Sequence, residues 1–120
     1  PRSLLLVAEF DKQTVGWCRI FPCGFGDKSN HVGDVGIGVA KEFRNCGIGT
    51  ALLTQAVTWA LQQGYEKLTL DLYGTNEPAI HLFQEFGFKR VGVLERHAKI
   101  QGLYVDAILM ERLLKTNYED

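Results

Sequence analysis

The stretch Arg44-Asn45-Cys46-Gly47-Ile48-Gly49-Thr50 constrains this chain more than any other, because of what flanks it. Ahead of it, residues 31–39 read as a strand, and in Asp34-Val35-Gly36-Ile37-Gly38-Val39 the glycines leave part of one face as bare backbone. Glycine weakens a strand, so this pattern predicts that something approaches the backbone closely there. Behind it, Ile48, Leu52, Ala56, Trp59 and Ala60 recur at helical spacing, Leu53, Val57 and Leu61 widen the stripe, and Gly64 closes a predicted helix over 48–63. A helix start carries free N–H groups and roughly half a positive charge, which suits a phosphate. Gly47 and Gly49 remove side chains that would block such an anion, and Arg44 adds charge. Charge-assisted bonds of roughly 1.5–3 kcal/mol each would hold a pyrophosphate. Taken alone, a glycine turn that merely starts a helix explains the segment equally well.

Two other nucleotide loops fit poorly. A Walker loop needs a lysine after its last glycine, and none follows Gly49. A dinucleotide fingerprint wants a third small residue where Leu52 stands, and glycines close behind the strand, whereas residues 40–46 intervene. Around this centre, residues 7–10 and 14–21 read as a hairpin about Asp11-Lys12-Gln13, and 22–30 as a surface loop. Residues 67–73 alternate as a strand, Asn76 caps a helix with Pro78 in its first turn and Gly87 past its end, and 89–94 with 104–110 form a last strand pair. The predicted order is β-β-β-α-β-α-β-β.

A length of 120 residues fits one compact domain. The net charge of -1, from 13 basic and 14 acidic residues, argues against a nucleic-acid partner. No apolar run reaches the roughly 18 residues of a membrane span. Cys18, Cys23 and Cys46 are odd in number and lack CxxC pairing, which points to reduced thiols and a cytoplasmic setting. No histidine–cysteine cluster has zinc spacing, so no metal is expected. The start Pro1-Arg2-Ser3 is too short for a signal peptide and lacks Met, which marks a fragment or a trimmed form.

Residues 39–53 resemble the acetyl-CoA motif of the GNAT family of N-acetyltransferases, whose core is Arg/Gln-x-x-Gly-x-Gly/Ala. Asn76-Glu77-Pro78-Ala79-Ile80-His81-Leu82-Phe83, followed by Phe86-Gly87-Phe88, resembles the family's second motif, and the tail Gly102-Leu103-Tyr104-Val105-Asp106 is similar to a subgroup that includes bacterial L-amino-acid N-acetyltransferases. The resemblance covers nearly the whole chain. It implies a mixed α/β (α+β) fold with a central, mostly antiparallel sheet and helices on both faces, lacking the family's usual first strand and first two helices. It further implies acetyl-CoA as cosubstrate and direct transfer to a primary amine, a small amino compound or an α-amine. Ile37 and Val39 would offer backbone hydrogen bonds to the pantetheine arm, with the Val39 N–H polarising the carbonyl. Arg44, Asn45, Cys46, Gly47, Ile48, Gly49 and Thr50 would cradle the pyrophosphate, and Asn76, besides capping its helix, would touch the coenzyme.

Catalytic groups are less legible. The family's tyrosine, a proposed acid for the leaving thiolate, is replaced by Phe83. Expelling a thiolate of pKa roughly 8.5 unprotonated at neutral pH costs only about 2 kcal/mol, so transfer is slowed rather than abolished. Restoring the hydroxyl in Phe83→Tyr is expected to leave activity unchanged or raise it. Tyr104 and Tyr73 are candidate substitute acids, against a role as packed or hairpin-paired aromatics. Asp34 is the candidate base, against a bland role as a carboxylate near a strand start, and Asp71 and Asp106 are weaker candidates. A non-catalytic acyl-CoA-binding module and a dinucleotide-binding domain are the rival readings. The expected partner is a small-molecule or peptide amine; a homodimer stays open.

Overall fold

The computed structural model describes residues 2–24 and 26–114; residue 25, inside the expected loop 22–30, lies outside them, as do Pro1 and residues 115–120. The strands are β1 Leu4–Phe10, β2 Gln13–Pro22, β3 Val32–Val39, β4 Lys67–Tyr73, β5 Lys89–Ile100 and β6 Leu103–Leu113; the helices are α1 Ile48–Gln62 and α2 Glu77–Glu85. Short 3-10 turns occupy Gly26–Ser29 and Lys41–Phe43. One six-stranded sheet runs β1-β2-β3-β4-β6-β5. Every neighbouring pair is antiparallel except β3 with β4.

Two tight turns explain why the outer hairpins are longer than their apolar runs suggest. Asp11 and Lys12 have φ of 51° and 65°, and Gln101 and Gly102 have φ of 51° and 82°. Two-residue loops with positive φ at both positions match the twist of the flanking strands, so pairing continues to the turn itself, Phe10 with Gln13 and Ile100 with Leu103. The last strand pair, read from the sequence as 89–94 and 104–110, therefore reaches Ile100 and Leu113. Within β5 a bulge between Leu94 and Ala98 places Arg96 at φ 52°, and the Arg96 N–H donates to Asp106 Oδ1 at 2.8 Å. Asp106 thus has a structural task, holding the bulge of β5.

Alternation along the strands sends Cys18, Ile20, Val35, Leu68, Leu70 and Met110 to one face, where they meet Leu53, Ala56 and Ala60 of α1 and Ile80 and Phe83 of α2 in a single core. Full burial of one such aliphatic side chain contributes about 1.5–3 kcal/mol. The mostly antiparallel sheet agrees with the expected fold. The helices differ from the expectation of one layer on each face: among the described residues both lie on the same face, because only that face is continuously apolar. The other face carries polar residues, Arg19, Asp34, Thr69 and Asp71, among the exposed apolar side chains Leu5, Val7, Trp17 and Phe21. No helix of the described residues is long and apolar enough to cross a membrane.

Candidate active site

The parallel pair β3–β4 is short. It joins Val32, Gly33 and Asp34 to Lys67, Leu68 and Thr69 and then ends, although β3 continues to Val39 and β4 to Tyr73. The two strands splay. On the other side β3 stays paired with β2, and the Ala40 N–H donates to Val15 O at 2.8 Å. That bond sets the phase of the ladder: by antiparallel alternation, the N–H and C=O of Ile37 and Val39 point away from β2 and into the splay. Val39 O is reached there by Arg44 Nε at 3.3 Å.

Helix α1 opens onto the same gap. Its N-cap, Gly47, has φ 84° with nothing within 4 Å of the Cβ it lacks, and Asn45 before it has φ 64°. Gly47 is therefore needed for its left-handed backbone. Gly49 is a position of close packing instead. A Cβ there would meet Leu82 Cδ2 at 3.1 Å, so Gly49 lets α1 and α2 close together as well as clearing the loop. The first bond of the helix runs from Ala51 N to Gly47 O at 3.0 Å, and no side chain caps the start. The amides of Ile48, Gly49 and Thr50 thus begin the helix with no acceptor inside it, which leaves donors and the positive dipole end for an anion.

These elements enclose a groove of about 460 Å³. Of the residues expected to hold the coenzyme, Ile37, Val39, Arg44, Asn45, Gly47, Gly49, Thr50 and Asn76 line it. Cys46 and Ile48 are not among its lining residues. Cys46 is exposed, with Sγ donating to Arg44 O at 3.6 Å, and Ile48 packs on the core above Gly16. Asn76 also caps α2, its Oδ1 accepting from Ala79 N at 3.4 Å, so both expected placements coexist. The groove fits a long phosphate-bearing thioester: bare helix amides and Arg44 at one end, the free strand edge of Ile37 and Val39 along its length.

Phe83 is 1% exposed and stacks edge-on against Phe88 at 5.1 Å, inside the core rather than on the groove. The expected benefit of Phe83→Tyr therefore gives way to a cost, because the added hydroxyl enters an apolar core. Tyr104 lies on the β5–β6 hairpin beyond the last β4–β6 pair, Tyr73 with Ala107, and is not among the groove-lining residues. Its ring lies beneath Arg96 Cζ at 4.3 Å and Lys99 Nζ at 5.2 Å.

Asp34 sits on the opposite face of β3. Arg19 Nη1 donates to its Oδ2 at 3.4 Å, with the side chains 32% and 42% exposed. Burial raises the Asp34 carboxyl above its ordinary range, Arg19 opposes the shift, and the neighbouring charge of Asp71 adds to it. A shallow hollow of about 280 Å³ joins Asp34, Asp71 and Glu111, of which Glu111 is paired with Lys67 at 2.7 Å. On the core face of the sheet, burial pushes the Cys18 thiol up to about 11, which leaves it an inert apolar side chain. The described residues hold no group of three or more histidine, cysteine or acidic side chains able to bind a metal.

The close approach that the glycines of β3 predict is real, but side chains of β2 make it. Arg19 covers Gly36 and Trp17 covers Gly38. Sequence reading missed these two residues; their only signal was that large side chains on β2 alternate as the glycines on β3 do.

Comparison with known proteins accords with this geometry. Residues 1–88 match the profile described as the Acetyltransferase (GNAT) family. An N-alpha-acetyltransferase of Sulfurisphaera tokodaii is 41% identical over 90% of this chain and 68% of its own length. The L-amino acid N-acetyltransferase AaaT of Escherichia coli is 30% identical over 94% of this chain and 70% of its own. Among solved structures, an acetyltransferase of the GNAT family from Streptococcus pneumoniae superposes with a TM-score of 0.87 at 32% identity, covering 94% of this chain and 68% of that one. With a motif-bearing groove, a family match over most of its length and these relatives, the chain belongs to the GNAT family and is an acetyl-CoA-dependent N-acetyltransferase that acts on an amine.

Proposed function

We propose that the acceptor is an α-amine, of a free amino acid or of a peptide N-terminus, and that Asp34 takes the proton its ammonium must lose. The observation that carries this is the position of Asp34: a half-buried carboxylate with a raised pKa, on the strand whose splayed end turns Ile37 and Val39 toward the coenzyme groove. When bound, acetyl-CoA supplies a thioester whose acetyl carbon is open to attack. The groove residues fix its position, and the start of α1 and Arg44 hold its anionic end. On the other face Asp34 and Asp71 draw an ammonium in, and Asp34 accepts its proton so that the neutral amine can act. The new C–N bond would replace the C–S bond, with coenzyme A leaving as a thiolate that takes the second proton shed by the nitrogen.

The energetics favour an α-amine. A lysine side chain of pKa about 10.4 costs about 4.6 kcal/mol to neutralise at pH 7, whereas a peptide α-amine near 7.7–8.0 costs about 1–1.4 kcal/mol. A single carboxylate, partly exposed and held by Arg19, suits the smaller task. The relatives named for α-amines and amino acids support the same class. The three free thiols fit a reducing compartment such as the cytoplasm. Rates on a free amino acid, an N-terminally free peptide and an α-blocked lysine peptide test the reading. The first two are expected to exceed the third; a clear preference for the blocked lysine peptide overturns it.

A further inference from the structure

What would read the rest of such an acceptor lies on β2. The register sets Trp17 opposite Gly38 and Arg19 opposite Gly36. A Cβ on Gly38 would stand 2.5 Å from Trp17 Nε1 and 2.7 Å from Cε2, and one on Gly36 would stand 2.8 Å from Arg19 Cζ. Atoms do not approach so closely, so any residue but glycine would lift these side chains off the sheet. The two glycines let an indole and a guanidinium lie flat on β3. Arg19 Cζ also lies over the Phe21 ring at 4.8 Å. Indole, guanidinium and phenyl thereby form one continuous shelf along β2.

The shelf joins the two halves of the proposed reaction. Gly38, beneath Trp17, itself lines the coenzyme groove, and Arg19 touches Asp34. A molecule whose amine sits between that groove and Asp34 rests on the shelf. Its surface is open, with Trp17 39% and Phe21 46% exposed. The Arg19 guanidinium has five N–H donors, and among the described residues its only side-chain hydrogen bond is the 3.4 Å contact to Asp34. Planar donors beside an amine-binding carboxylate suit the carboxylate or carbonyl that every α-amine carries one carbon away.

We propose that Trp17 and Arg19 are the specificity-determining residues for the acceptor: the indole takes an apolar side chain, and the guanidinium takes the adjoining carboxylate or carbonyl. This rests on the α-amine reading and adds a preference for apolar amino compounds. The test compares kcat/KM for phenylalanine, leucine, glycine and aspartate, and for phenylalanine amide, with the KM for acetyl-CoA measured alongside. Wild type is expected to favour phenylalanine and leucine over glycine, and Trp17→Ala to shrink that ratio about tenfold, the scale of a lost apolar pocket contact. Trp17→Phe keeps most of the ratio, and Gly38→Ala, which lifts the indole without deleting it, lowers it. Arg19→Gln raises the KM for phenylalanine more than for its amide. The KM for acetyl-CoA stays unchanged in Trp17→Ala. Acetylation of α-amines with no apolar preference, or with a ratio that Trp17→Ala does not move, overturns this proposal and leaves the α-amine reading standing. A wild type that acetylates only the α-blocked lysine peptide overturns both.

Discussion

At the splayed end of β3 the coenzyme groove is built largely from main chain: the amides of Ile37 and Val39 and the first turn of α1. The opposite face of the same strand presents side chains instead, Trp17 against Gly38, Arg19 against Gly36, and Asp34 bonded to Arg19. As proposed, the backbone donors would hold the parts common to any acetyl-CoA, its pantetheine amide and pyrophosphate. Side chains recognise what differs between substrates. On the proposed reading one strand serves both partners, and substitutions on its two sides are expected to separate coenzyme effects from acceptor effects.

The largest effect is expected on the side-chain face. Asp34→Asn removes the proposed base and should lower kcat/KM for the amine by about 10²–10⁴-fold, the usual contribution of a positioned acid or base. Acetyl-CoA binding should be unchanged. The pH profile supplies a second readout. Because the Asp34 pKa is raised, its base form is lost on acidification earlier than for an ordinary carboxylate, so the rate should rise with pH through that raised value. Asp34→Asn should lose that limb. For stability the sign is opposite: the folded state holds the proton more tightly than the unfolded chain, so this group's contribution falls as pH rises from the ordinary carboxylate range through the raised pKa. Retention of the limb in Asp34→Asn would assign the base to another residue.

A smaller effect is expected on the backbone face. Thr50 lines the groove in the first turn of α1, a turn that carries no acidic residue. Thr50→Glu places a carboxylate where the helix dipole favours one, so the apo protein should melt at the same temperature or slightly higher. The same charge competes with the pyrophosphate for the amides of Ile48, Gly49 and Thr50. Acetyl-CoA should bind at least about tenfold more weakly, a loss of 1.4 kcal/mol or more by titration. Unaltered affinity would dissolve the contrast between the two faces, since the anion would then lie elsewhere.

The same contrast explains what the sequence made legible. The groove could be read in advance because glycine spacing, a helix start and Asn76 are local signals, each carried by neighbouring residues. Even so, that Cys46 and the Ile48 side chain turn away from the groove could not be read, because the direction of each side chain in a turn depends on φ values such as those of Asn45 and Gly47. The acceptor face could not be read because it depends on register. Trp17 and Arg19 lie about twenty residues from Gly38 and Gly36, and only the pairing of β2 with β3 shows that the glycines make room for them. Strand alternation located the core, yet it did not say which face each helix would take.

The smallest catalytic effect, and the test of where the two faces end, is expected at Phe83. By motif it occupies the place of a tyrosine that would serve the groove, whereas its ring is 1% exposed and packed against Phe88. If the ring belongs to the core alone, Phe83→Tyr buries a hydroxyl with no partner at a cost of about 1–3 kcal/mol. For a domain of this size each kcal/mol lowers Tm by about 4 °C. The turnover of the molecules that remain folded should not change, since a thiol of pKa near 8.5 leaves unassisted at a cost of about 2 kcal/mol. Scanning calorimetry and kcat at a temperature well below the transition separate the two readouts. A raised kcat with an undiminished Tm would mean that the para position of the ring reaches the leaving sulfur, and the groove would then need a side chain as well as its backbone to do its chemistry.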